Sequence, residues 1–212
     1  MKEMKNQKVP FCEEKLKKNE IILDVGCWSG EKVKSLLNKC QPYGIDINQD
    51  RFNLAPKKIR NRLFFGDITK KVTLKNIRKK FDWIFLGEVL EHLEKDEVAL
   101  KNINFLLKRR GKLVLTTPKS IFLLEFWDPA WIRWKFFGGQ RHYHYTQKEL
   151  YEKLEKAGFI IEEIRVTGNM KWLFFRWANT ILKNGLKLKK SYPCEKNKGF
   201  FDWEIFAKKN ER

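Results

Sequence analysis

The chain has 212 residues, 42% of them hydrophobic, with 45 Lys and Arg against 26 Asp and Glu for a formal charge of +19. That length supports one well-packed core without a dividing linker, so residues 1–212 are expected to form a single domain, and four scattered cysteines without a CxxC pair speak against a disulfide framework or a structural zinc. No apolar run approaches the roughly 18 to 20 residues of a membrane span, and the opening MKEMKNQKVPFCEEKLKKNE is too polar for a secretory leader, which together point to a cytoplasmic protein.

Short β-rich runs alternate with amphipathic helical stretches, the pattern of an α/β fold with a parallel sheet and helices on both faces. The first strand, Ile21–Val25, enters the turn of IILDVGCWSGEKV and a helix over about Glu31–Lys39. Further strands are expected at Tyr43–Ile47, Arg62–Gly66, Phe81–Leu86, Gly111–Thr117, Phe159–Val166 and Phe201–Ala207. DEVALKNINFLLKRRG predicts a helix with acidic residues at its start, basic ones at its end and Gly111 as its stop. Residues 119–145, KSIFLLEFWDPAWIRWKFFGGQRHYHY, are too long and too aromatic for a plain connection and are expected to form a cap. These aromatics either line an acceptor pocket or pack the cap onto the sheet.

The charge is uneven. Residues 57–80 carry ten Lys and Arg against one Asp, and residues 168–198 carry eight against one Glu. On a helical wheel, residues 169–190 place Arg176, Lys183, Lys187 and Lys190 on one side, with Met170, Leu173, Phe174, Trp177, Ala178 and Ile181 on the other. That basic amphipathic helix would serve as a lid, lie on a membrane surface, or bind a polyanion such as nucleic acid.

A strand, a glycine turn and a helix offer backbone N–H groups and a positive dipole end to a ligand at the carboxyl edge of a parallel sheet. A dinucleotide loop beginning at Gly26 would need glycines where Trp28 and Glu31 stand, and Glu31 would repel a pyrophosphate. The pattern that remains, Asp24, Gly26 and Gly30, suits a cofactor without phosphates. Here the chain resembles the class I S-adenosylmethionine (SAM) methyltransferases, from about Ile21 to Ile164, through ILDVGCWSG, YGIDI, LFFGDIT, FDWIFLGEVLEHL, LLKRRGKLVLTTPK and HYHYTQKELYEKLEKAGFIIEEI in register. The resemblance implies a Rossmann-like sheet of seven strands with the last antiparallel. It also implies a cofactor site of Asp24, Gly26, Trp28, Gly30, Asp46, Ile47, Asp67 and Ile68. Asp24 would serve the turn and the methionine amino group, Asp46 the ribose hydroxyls and Asp67 the adenine amino group.

Methyl transfer from a sulfonium needs alignment above all, and a base where the acceptor has a proton to lose. In GEVLEHLE a helical turn would put Glu88, Glu91 and His92 on one face. Three readings stay open: His92 as general base beside Glu88, a divalent-metal site, or a turn whose histidine merely packs. The metal reading comes from resemblance to ubiquinone-biosynthesis-type O-methyltransferases and small-RNA 2′-O-methyltransferases, whose E-x-x-E-H segment binds Mg²⁺-like ions; here Glu88, Glu91 and His92 would be completed by His142 or His144. The expected activity is methylation of a small or lipid-linked acceptor, with oxygen favoured. The alternatives are an RNA methyltransferase, prompted by the charge, and a non-catalytic binding protein, prompted by Trp28.

Overall fold

Alternation along the strands decides where the layers go. In β1 (Ile21–Val25) the side chains of Leu23 and Val25 enter one core and Ile22 enters the other, as the period of two in an extended chain requires. The same division separates Ile84 and Leu86 from Trp83 and Phe85 in β4 (Phe81–Gly87), and Leu113 and Leu115 from Val114 in β5 (Leu107–Pro118). The larger core is closed by α3 (Asp96–Leu106) and α5 (Gln147–Lys156), which contribute Leu100, Ile103, Leu150 and Leu154. On the opposite face Leu36 of α1 (Glu31–Leu36) covers Ile22 and Trp83. The computed structural model describes residues 15–121, 125–182 and 199–211.

Among the described residues seven strands form one sheet in the order β3-β2-β1-β4-β5-β7-β6, where β2 is Gln41–Asp46, β3 Leu63–Phe65, β6 Phe159–Thr167 and β7 Asp202–Lys209. Strands β1 to β5 pair in parallel, and β7 runs antiparallel to both β5 and β6. The chain moves outward from β1 to β3 and then crosses back to β4. The carboxyl ends of β1 and β4 therefore flank the crevice where open α/β sheets bind ligands. A short helix α2 (Lys71–Asn76) follows β3.

Sequence expectation and structure differ at two helices. Helix α3 ends at Leu106, and β5 begins at Leu107 with no loop between them, because Leu107 pairs beside Phe81 and is buried there. Lys108, Arg109 and Arg110 therefore lie on a strand and not in the last turn of a helix, and Gly111 is not the stop. Helix α6 (Met170–Thr180) is rotated from the expected wheel. Arg176 turns inward to an ion pair, while Met170, Phe174 and Ile181 are exposed. Lys183, Lys187 and Lys190 lie outside the described residues.

The cap consists of a single 3-10 turn at Glu125–Trp127 and α4 (Pro129–Phe137). Asp128 caps α4 by accepting from the Ala130 N–H, Pro129 opens its first turn, and Gly138 closes it at φ 64. Trp127 packs with Trp172 of α6 and Phe201 in a small satellite core. Tyr145 is fully buried and donates to the Asp96 carboxylate at 2.7 Å. These aromatics pack the cap, whereas Phe126, Phe136 and Phe137 face solvent; Phe122 is outside the described residues.

Candidate active site

The turn after β1 is built on three alternate left-handed positions, Gly26 (φ 75), Trp28 (φ 54) and Gly30 (φ 78). A Cβ on Gly26 would stand 2.4 Å from Cγ2 of Val89, and one on Gly30 2.7 Å from Cδ1 of Ile59. Gly26 thus lets the turn after β4 close onto the turn after β1, so the two halves of the crevice meet. Trp28 pays for its strained backbone twice over: its N–H donates to Oδ2 of Asp46 at 2.8 Å, and its ring lies 3.5 Å from the Arg51 guanidinium. The indole is 52% exposed and sits under that guanidinium. The other Asp46 oxygen accepts from the Asn48 N–H at 2.9 Å, and a carboxylate with two accepted bonds has acceptor capacity to spare.

Asp24 is buried, and its carboxylate is met by Nζ of Lys32 at 3.2 Å; burial raises its pKa, with Lys32 opposing the rise. Burial likewise pushes the Cys27 thiol up, keeping it a packing residue. Asp67 folds onto its own loop, accepting from the Thr69 N–H and hydroxyl at 2.9 and 2.7 Å. Ile68 is buried, with its carbonyl held by Asn102. Ile47 and Phe65 are exposed at the carboxyl ends of β2 and β3, on the same edge of the sheet as the turn after β1.

Across the crevice, Glu88 ends β4 in a left-handed conformation (φ 56), and its Oε1 accepts from the Thr116 hydroxyl at 2.9 Å. Such strain in a non-glycine residue gathers at functional sites. Leu90–His92 form a 3-10 turn, so the helical face expected for Glu88, Glu91 and His92 does not exist. Glu91 points into the interior, where the Thr117 hydroxyl donates to its Oε2 at 3.1 Å. Consecutive threonines at the end of β5 therefore hold the two carboxylates from opposite faces of the strand. His92 is half-buried. Its Nδ1 lies 2.6 Å from the Arg141 carbonyl and must carry the proton, which leaves the lone pair on Nε2, 4.0 Å from Oε1 of Glu91. Burial is the main cause of a pKa below the ordinary histidine value, so the ring is neutral at neutral pH.

His142 lies beside it, with ring centroids 5.0 Å apart. Its Nε2 is fixed by Oδ2 of Asp128 at 2.8 Å, and its Nδ1 is buried with no hydrogen-bond partner among the described residues. Single ligand atoms of Glu91, His92 and His142 lie within 4.8 Å of one another. Asp128, His142 and His144 form a second such group, but there the Asp128 carboxylate also pairs with Arg176 at 2.8 Å, and that charge opposes another cation.

A family model described as a methyltransferase domain matches residues 1–164, which contain both turns and the histidine segment. The chain belongs to the methyltransferase-domain family. Its fold is that of the class I enzymes, and as a member it is a SAM-dependent methyltransferase with SAM as its cofactor. A SAM-dependent methyltransferase from Methanosarcina mazei is similar over 96% of this chain and 98% of its own at 17% identity and TM-score 0.64. Another from Archaeoglobus fulgidus is similar over 92% and 88% at 21% identity and TM-score 0.61. The 1,6-didemethyltoxoflavin-N1-methyltransferase of Burkholderia thailandensis, solved with bound 1,6-didemethyltoxoflavin and S-adenosylhomocysteine, is similar over 92% and 72% at 14% identity and TM-score 0.61. At these identities the likeness is one of fold. No curated protein matches the chain.

In this methyltransferase the expected cofactor residues Asp24, Gly26, Trp28, Gly30, Asp46 and Ile47 gather around the end of β1, and Asp67 and Ile68 follow β3. Of the residues expected for a metal, Glu91 and His92 are joined by His142, one of the two histidines expected to complete the set, while His144 lies with Glu125 and Asp128, and Glu88 lies on Thr116. Alternation in RHYHY puts both histidines on one inward side, so spacing did not distinguish them. Arg141 acts on His92 from a segment 49 residues away and Asp128 acts on His142 from the cap, and nothing in the sequence around them carries a signal of that.

Proposed function

We propose that this methyltransferase moves the methyl group of SAM to a hydroxyl oxygen of a small or lipid-linked acceptor, with His92 as the base that takes the hydroxyl proton. The observation that carries the reading is the fixed tautomer of His92, whose Nδ1–H is committed to the Arg141 carbonyl while Nε2 keeps a lone pair at a half-buried site beside the strained Glu88. The acceptor oxygen forms its bond to the methyl carbon as the carbon–sulfur bond breaks. The sulfonium leaves as a neutral thioether, and the proton passes to Nε2. Asp46 would hold the ribose, Asp67 the adenine, and the Gly26 and Gly30 turn the methionine end. Incubation of methyl-labelled SAM with fractionated extract tests this. Label is expected in an organic-soluble product, with a loss of about a hundredfold or more in His92→Ala. Label on RNA alone, or an unchanged rate in the variant, contradicts it.

A second reading is favoured by the buried Nδ1 of His142, which has no hydrogen-bond partner among the described residues. Glu91, His92 and His142 would hold a divalent cation, with Asp128, the Arg141 carbonyl and the Thr117 hydroxyl orienting the three ligands. Two imidazoles and a carboxylate suit Mn²⁺, Fe²⁺ or Zn²⁺ better than the Mg²⁺ expected from a set with two carboxylates. Such an ion would supply Lewis-acid polarisation of the acceptor hydroxyl. Under this reading EDTA abolishes transfer, Mn²⁺ restores it, and Mn²⁺ raises the melting temperature of the wild type but not of His142→Ala. Indifference to chelator leaves His92 as the simple base.

A further inference from the structure

Helix α4 has no buried side chain, although Trp131, Ile132, Trp134, Phe136 and Phe137 make it one of the most apolar segments of the chain. Phe136 and Phe137 are 69% and 77% exposed at its carboxyl end, and Arg133, on the same helical face, is exposed with them. From Pro129 to Lys148 there is no Asp or Glu. Helix α6 repeats the pattern: Met170, Phe174 and Ile181 are exposed at helical spacing, beside exposed Lys171. The two helices are fastened together, since Arg176 of α6 pairs with Asp128, the cap residue of α4, and the Trp177 indole N–H donates to the Trp127 carbonyl at 2.8 Å. Among the described residues no helix is long and apolar enough to cross a membrane.

We propose that α4 and α6 form a docking surface for an anionic phospholipid bilayer, with Phe136, Phe137 and Phe174 entering the acyl boundary and Arg133 and Lys171 meeting the headgroups. Exposed phenylalanines beside cations suit an interface that is apolar below and negative above. A second copy of a chain carrying +19 would be repelled from this face. Asp128, which caps α4 and receives Arg176, also holds His142, so the docked helices border the crevice where a lipid-linked acceptor would enter.

Flotation with vesicles of phosphatidylcholine alone, and with phosphatidylglycerol added, reads this surface without turnover, so its outcome is independent of the acceptor proposed above. Binding is expected to the anionic vesicles only, and the double variant Phe136→Ser/Phe137→Ser is expected to weaken it about tenfold or more while its melting temperature stays unchanged. Arg133→Gln should weaken it further and reduce its salt dependence. Absence of vesicle binding by the full chain overturns the proposal, as does undiminished binding by the double variant. Single-stranded RNA that displaces the protein from vesicles and loses affinity in the same variants also overturns it, and assigns the surface to nucleic acid.

Discussion

Trp28 and Gly26 share a turn and a left-handed backbone but answer to different constraints. A tryptophan at φ 54 costs roughly 1–2 kcal/mol relative to glycine, and its stacking on half-buried Arg51 returns a similar amount. Trp28→Gly is therefore expected to leave the melting temperature within a few degrees and SAM affinity within about threefold, as titration calorimetry would show. A loss of binding would mean that the indole forms part of the cofactor wall. Gly26→Ala should be far worse, because the new methyl meets Val89 at 2.4 Å as well as carrying the left-handed cost. Gly138→Ala isolates that cost, since a Cβ there meets nothing within 4 Å. The expected order in thermal melts is wild type, then Gly138→Ala lower by about 1 kcal/mol, then Gly26→Ala lower still and impaired in SAM binding.

The cap elements are joined to the sheet through one buried carboxylate. Burial would raise the pKa of Asp128, but Arg176, His142 and His144 more than offset it and hold the carboxyl well below the usual range. Because the folded value is depressed, this stabilisation is fully present above about pH 4 and is lost as pH falls through the folded value. Denaturant titrations should thus show a shallower acid loss in Asp128→Asn than in the wild type. Arg176→Met, which removes the cation from the buried carboxylate but leaves its bonds to His142 and the Ala130 N–H, should cost up to about 3 kcal/mol at neutral pH. The sequence made these elements legible and their orientation not. Asp128-Pro129 and Gly138 mark the ends of α4, and Thr146 with Glu149 marks the start of α5 through a complete capping box. The rotation of α6 was hidden because its wheel carries apolar residues nearly all round, and the pull of Asp128 on Arg176, 48 residues away, decided which side faces in.

Across the whole molecule, the α/β class and the positions of the strands were legible because they rest on local patterns of hydrophobic alternation broken by turn residues, whereas the seven-stranded sheet with β7 antiparallel followed from the resemblance carried by the motifs from ILDVGCWSG to AGFIIEEI. The acceptor side was less legible. Its geometry comes from a left-handed Glu88, a short 3-10 turn and an extended RHYHY segment brought alongside by the cap, whereas the spacing of Glu88, Glu91 and His92 predicts a helical turn. The basic surface belongs to the same scale. If it steers polyanions, association weakens steeply with salt, whereas cofactor binding in the crevice should vary little between low and physiological salt. The most direct test of the account is titration calorimetry with SAM and with its demethylated product. Saturable binding of both is expected, weakened about tenfold or more by Asp46→Ala, which removes the proposed ribose acceptor and the anchor of the Trp28 N–H. No heat with either ligand would contradict the assignment of this crevice to SAM.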